Sequence, residues 1–192
     1  MKAYVINLDS RPDRMELFKE NNIPFEVERY SAKISNSGED GCTDSHMDIL
    51  KKQTQFPFVI FEDDCVLLED WSLVEKAMSQ LPLNWDALWL GANVRRPVSR
   101  YSDNLFRLRR GFATHAIIYG SARIVNFILN RKEKLARGVN FDVFYAAQLQ
   151  WRFNCFITYP MMATQRSDFS DIAKVYTNNY QELIDNYNKC IK

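Results

Sequence analysis

The sequence predicts an α/β sandwich, with helices packed on both faces of a mixed, mostly parallel central sheet. Two observations carry that expectation. Short apolar runs rich in Val, Ile, Phe and Tyr alternate with longer segments whose apolar residues recur at helical spacing. The chain also has the means to bury a core without staples, being 192 residues long and 46% hydrophobic. There is no internal repeat and no low-complexity stretch, so one domain over 1–192 is expected.

The elements follow in order. Residues 3–8 are a compact apolar run and read as a buried strand. Ser10, Pro12 and Asp13 read as a helix start: Ser10 caps, Pro12 fits the first turn, and Asp13 stands at the capping-box spacing. Leu17 and Phe18 give that helix its apolar face, and Asn21-Asn22 ends it. Residues 25–30 alternate in polarity, as a strand near a sheet edge does. After a polar loop at 35–41, a helix is expected from Cys42 to about Gln53. Residues 57–61 are a second buried strand. Trp71, Val74, Ala77, Met78 and Leu81 mark a helix. A strand at 86–90 closes on Gly91, and a polar, arginine-rich stretch follows at 93–110, of which the loop at 93–105 reads as an excursion from the core. A strand at 112–119, a helix at 121–135 and a strand at 153–159 follow. Tyr176, Tyr180, Leu183, Ile184, Tyr187 and Ile191 mark one face of a terminal helix.

Charge excludes some function classes. Lys and Arg total 25 against 24 for Asp and Glu, so no global field draws the chain to nucleic acid or an acidic membrane. No apolar run reaches the ~18 residues of a membrane span, which leaves at most peripheral membrane contact. Cys42, Cys65, Cys155 and Cys190 show no CxxC spacing. That disfavours a structural zinc site, and we read them as reduced thiols in the cytoplasm.

Chemistry concentrates in a few places. Glu62-Asp63-Asp64 follows directly on an apolar strand, at the strand end where open α/β sheets bind ligands. In an extended segment Glu62 and Asp64 share a face and Asp63 points away. Paired carboxylates suit a hard divalent cation, Mg2+ or Mn2+, able to neutralise a diphosphate; a solvated strand-end turn is the plainer alternative. The segment Gly41-Cys42-Thr43-Asp44-Ser45-His46 reads as a helix N-terminus. It either binds an anion or a sugar hydroxyl, or simply caps with His46 packed inside. Arg11 and Arg14 lie on one face of the first helix, fit either for phosphate and base contacts or for solvent. Asp142, after Gly138-Val139-Asn140-Phe141, is either a general base or a helix cap. The polar segment 159–172 is either a lid over a ligand or a surface connection. Arg95, Arg96, Arg100, Arg107, Arg109 and Arg110, opposed in sequence by Asp103 alone, form either an anionic acceptor site or a solvated hairpin.

Taken in order, these motifs resemble glycosyltransferase family 25, which includes lipooligosaccharide and collagen galactosyltransferases. The resemblance runs from Asn7-Leu8-Asp9 with Arg11-Pro12-Asp13-Arg14, through Gly41-Cys42 with Ser45-His46 and through Glu62-Asp63-Asp64. It ends at Asp142 and at Pro160, Ala163, Thr164, Gln165 and Ser170-Asp171-Ile172. It implies a GT-A-like, Rossmann-related fold, a UDP-sugar donor and Mn2+ or Mg2+. By that likeness Asp64 is the direct metal ligand and Glu62 assists. Asn7, Leu8, Arg11, Arg14, Ser45, His46 and Asp63 line the donor site, and Asp142 is the base toward a hydroxyl of a glycan or glycoconjugate acceptor. Thr114-His115 stands where the family pattern leads one to expect an aromatic, which makes His115 an additional metal or sugar contact. A nucleotide-sugar-binding module without transfer activity is the alternative.

Overall fold

The computed structural model describes residues 1–132, 140–170 and 175–191. The strands are β1 (Lys2–Asn7), β2 (Glu28–Ser31), β3 (Phe58–Glu62), β4 (Cys65–Leu67), β5 (Ala87–Trp89), β6 (Asn93–Val94), β7 (Ser99–Arg100) and β8 (Leu105–Arg107), then β9 (Gly111–Phe112), β10 (Ala116–Tyr119), β11 (Cys155–Thr158), β12 (Ala163–Gln165), β13 (Phe169–Ser170) and β14 (Val175–Tyr176). The helices are α1 (Pro12–Lys19), α2 (Gly38–Lys51), α3 (Trp71–Met78), α4 (Ala122–Lys132), α5 (Phe141–Phe144), α6 (Gln150–Arg152) and α7 (Asn179–Cys190); a π-helical turn, Tyr145–Leu149, joins α5 to α6.

Among the described residues, eight strands form the central sheet in the order β2-β1-β3-β10-β5-β11-β8-β7. The strand expected at 25–30 forms over Glu28–Ser31 instead, and it lies at an edge as expected. Parallel pairing joins β1 to β2 and β3, and β5 to β11. The other neighbours are antiparallel. The sheet is therefore mixed and less parallel than expected. The reason lies between β5 and β10. No helix separates them; short strands do, so the chain returns without a crossover and β10 enters the sheet reversed.

Alternation along β3 divides the core into two layers. Phe58 and Ile60 face one cluster, with Ile49 and Leu50 of α2, Ile124 and Ile128 of α4, and Leu183 and Tyr187 of α7. Val59 and Phe61 face the other, with Phe18 of α1 and Trp71 and Val74 of α3. Helices thus cover both faces, as the sandwich requires.

Several local expectations change. Ser10 does not cap α1: the N-cap position is Arg11, without a side-chain cap bond, and Asp13 instead accepts from the Arg11 guanidinium. Helix α2 starts four residues earlier than Cys42, at Gly38, because Ser37 caps it by accepting from the Asp40 N–H. The arginine stretch is a hairpin, β7–β8, that extends the sheet. Its arginines are largely engaged: Arg95 with Glu182, Arg100 with Asp103, Arg107 with the Phe153 carbonyl, and Arg109 with the Gln150 carbonyl. Tyr176 falls in β14 and is exposed, outside the terminal helix. Residues 133–135 of the expected helix, and Gly138, Val139, Asp171 and Ile172, lie outside the described residues.

Candidate active site

A cleft of about 420 Å³ opens where β1 and β3 end. Leu8 and Ser10 contribute from the loop after β1, and Arg14 from α1. Residues 32–35 and the start of α2 form a second wall, and Gln165, Arg166 and Asp168 a third. All three acids, Glu62, Asp63 and Asp64, lie on its floor. The second wall depends on Gly41: a Cβ there would sit 2.5 Å from the Lys33 carbonyl oxygen, so only glycine lets that loop lie against α2.

The expected split holds for Glu62 and Asp63, which meet α2 and α1 on opposite faces of the sheet, but Asp64 does not share the face of Glu62. Strand β3 ends at Glu62, and Asp63-Asp64 form the turn before β4. Extended alternation therefore stops before it can bring Asp64 back to the face of Glu62. Each acid meets a different element. Glu62 Oε1 accepts from Thr114 Oγ1 at 2.5 Å and lies 3.2 Å from His46 Nε2. Burial works against its charge, but His46 and Thr114 outweigh that and hold the carboxyl below its ordinary pKa. Asp63 accepts from Asn7 Nδ2 at 2.7 Å and pairs with Arg14 at 3.2 Å. Burial nevertheless leaves its pKa raised.

Asp64 is the strained member. One of its oxygens accepts from Gln165 Nε2 at 3.2 Å, while Oδ1 is enclosed without a hydrogen-bond partner. Burial first, and then the charges of Glu62 and Asp63, push its pKa up to about 8. An enclosed carboxylate oxygen beside two more carboxylates fits a divalent cation, which satisfies the oxygen and cancels the repulsion. Arg166 complements it from the wall. Its backbone N–H donates to the Asp64 carbonyl at 2.7 Å, and its enclosed Nε has no hydrogen-bond partner.

The structure brings Leu8, Arg14, Glu62, Asp63 and Asp64 together around the cleft. The other expected residues do not line the cleft. Asn7 is buried, donating to Asp63 and to the Arg11 carbonyl and accepting from Arg29. Arg11 pairs with Asp13 and Asp168. Ser45 is buried, donating to the Gly41 carbonyl and accepting from the Lys33 N–H. His46 is buried behind Glu62. His115 is buried as well, and burial lowers its pKa to about 4, so it is neutral at pH 7. Asp142 accepts from the Val143 N–H at 2.6 Å and the Ala113 N–H at 3.4 Å. Burial, with the Glu62 charge adding to it, raises its pKa.

Lys33, Ser37 and Gly38 also line the cleft, and sequence reasoning missed them. The signal was present: Ser37 followed three residues later by Asp40 is a cap pattern, and it turns the amide end of α2 toward the cleft. Gln165, Arg166 and Asp168 belong to the segment read as a lid or a connection. It forms a wall, with β12 paired to β4 and Asp168 bound to both Arg11 and Arg14.

A197 from STIV superposes with a TM-score of 0.51 at 14% identity, over 93% of this chain and 95% of A197. That likeness is one of fold: an α/β fold on a mixed sheet, GT-A-like as the motifs imply. More distant superpositions are with the glycosyltransferase GlyE of Streptococcus pneumoniae TIGR4 and the inositol-1-phosphate CTP transferase of T. maritima. GlyE gives a TM-score of 0.42 at 13% identity, over 81% of this chain and 37% of GlyE. The CTP transferase gives 0.44 at 10%, over 100% and 78%. No family model and no curated protein matches the sequence. Among the described residues no helix is long and apolar enough to cross a membrane.

Proposed function

We propose that the chain is a metal-dependent glycosyltransferase that moves a hexose, galactose or glucose, from a UDP-sugar to a hydroxyl of a glycan or glycoconjugate, with inversion. The observation that carries this reading is the enclosed, unpartnered Asp64 Oδ1 on the floor of a cleft that also holds Glu62 and Asp63. Asp64 is the direct ligand for Mn2+ or Mg2+, and Glu62, engaged through Oε1, assists through water. The bound ion supplies positive charge against the donor diphosphate. Arg14, Arg166 and the amide end of α2 hold the same diphosphate from the walls. Leu8 packs on the nucleoside, and Asn7 and Arg11 keep Asp63, Asp168 and the loop after β1 in place. Asp142 takes the acceptor proton; burial raises its pKa, which makes it a stronger base than an exposed carboxylate.

A thermal-shift series with UDP, GDP and UDP-hexoses, with and without Mn2+, tests the proposal. Uridine diphosphate species should stabilise the chain, and more with metal, by about 2.7 kcal/mol at a hundredfold excess over Kd. Absence of any nucleotide shift overturns the reading. Asp142→Asn should keep that shift and lose transfer; transfer at the parent rate removes Asp142 as base.

A further inference from the structure

We propose that Cys42, His46 and Glu62 form a second metal site, one that takes a borderline-soft ion such as zinc and shares only Glu62 with the hard-cation position at Asp64. Cys42 and His46 stand four residues apart on α2, one turn from each other on the same face. Glu62 reaches them from the end of β3. The Cys42 Sγ, His46 nitrogen and Glu62 oxygen all lie within 4.8 Å of one another. His46 Nε2 is 3.2 Å from Glu62 Oε1, and Cys42 Sγ is 4.0 Å from the same oxygen. A tetrahedral zinc site with its usual bond lengths places such donors about 3.3–3.6 Å apart, so the imidazole and carboxylate already stand at that spacing and the Cys42 side chain must move inward to join them.

Chemistry selects the ion. Magnesium and manganese favour all-oxygen shells, whereas a thiolate, an imidazole and a carboxylate together suit zinc. Support around the donors is also present: Thr114 Oγ1 donates to Glu62 Oε1, which fixes that carboxylate. His46 is buried, while Cys42 and Glu62 line the cleft. The site therefore has three protein donors and a fourth position open to the cleft, where water or a substrate oxygen completes the shell. The spacing of the cysteines hides this site, because its third donor lies 16 residues beyond His46 on another element.

The inference does not depend on the transferase reading, and its test uses no nucleotide. The intact chain is titrated with cobalt(II), then with zinc(II). One equivalent of cobalt should give a thiolate-to-cobalt charge-transfer band in the near ultraviolet, and zinc should displace it. Cys42→Ser should abolish the band and weaken zinc binding by at least about tenfold, or about 1.4 kcal/mol. Asp64→Asn should leave the band intact. A band that survives Cys42→Ser, bound cobalt without a thiolate band, or a band lost in Asp64→Asn overturns the proposal. Zinc should also shield Cys42 in the parent chain from alkylation, read by peptide mass. Equal labelling with and without zinc overturns the proposal even if the variant fails to fold.

Discussion

At the scale of single residues, Asp64 sets a pH dependence with a definite sign. Its carboxyl titrates at about 8 in the folded chain against 3.8 for the free group, because of burial and then the charges of Glu62 and Asp63. Between those values the folded chain holds a proton that the unfolded chain has released. Stability must therefore fall as pH rises through that window, and the loss is complete above about pH 8. Asp63 and Asp142, also raised, add in the same direction. A divalent ion replaces the missing proton, so Mg2+ should raise the melting temperature most at about pH 8.5 and little at about pH 5. Asp64→Asn should flatten this arm of the stability curve and remove the Mg2+ effect; melts with an unchanged Mg2+ response in that variant would reassign the ligand. The acids themselves were legible in the sequence because they follow directly on an apolar strand, at the end where open α/β sheets bind ligands. Lys33 and Asp168 were not legible as cleft residues. Asp168 owes its place to Arg11 and Arg14, more than 150 positions earlier, and no local pattern encodes that pairing.

At the scale of elements, the sequence marked most strands and helices but not their directions or exact starts. Residues 112–119 carry the apolar signature of a strand, and β10 is there; that signature is the same for either direction, so its antiparallel entry came from the linking strands alone. Helix α2 was displaced because its first turn, Gly38 to Gly41, is polar and glycine-containing and resembles a loop. The junction of β5 with the cleft-side wall gives a sharper test. At Gly91 a Cβ would stand 1.7 Å from the Ala163 carbonyl oxygen and 3.1 Å from His115 Nε2. The obstacle at 1.7 Å is backbone, which cannot rotate aside. Gly91→Ala should therefore cost about 3 kcal/mol or more, at the upper end of overpacking penalties. It should also disturb β12, which carries Gln165 to Asp64. Urea titration reads the first effect and loss of the Mg2+-induced shift the second. A variant with parent stability would mean that β5 and β12 are not held in this contact.

At the scale of the whole molecule, both ends of the chain build the same cleft, and this ties its integrity to the core. The first strand and helix supply one wall, and the segment after β11 supplies another through Gln165, Arg166 and Asp168. That segment is anchored on both sides. Before it β12 pairs with β4, and after it α7 buries Leu183 and Tyr187, with the Tyr187 hydroxyl donating to the Thr158 carbonyl at 2.6 Å. Opening the cleft wall thus requires giving up core contacts on the α2–α4 face as well as pairing to β4. Unfolding should be one event. Trp71 and Trp89 report from opposite faces of the sheet, so tryptophan emission and far-ultraviolet circular dichroism should give superimposable urea curves. Proteolytic cleavage within 159–168 should begin only across that same transition. Tyr187→Phe leaves the Thr158 carbonyl buried and unpaired, which costs about 1–3 kcal/mol. It should move both spectroscopic midpoints and the onset of cleavage together. Cleavage of the segment well below the spectroscopic transition would show that the wall releases independently of the core, and the cleft would then be a closing device rather than part of the folded framework.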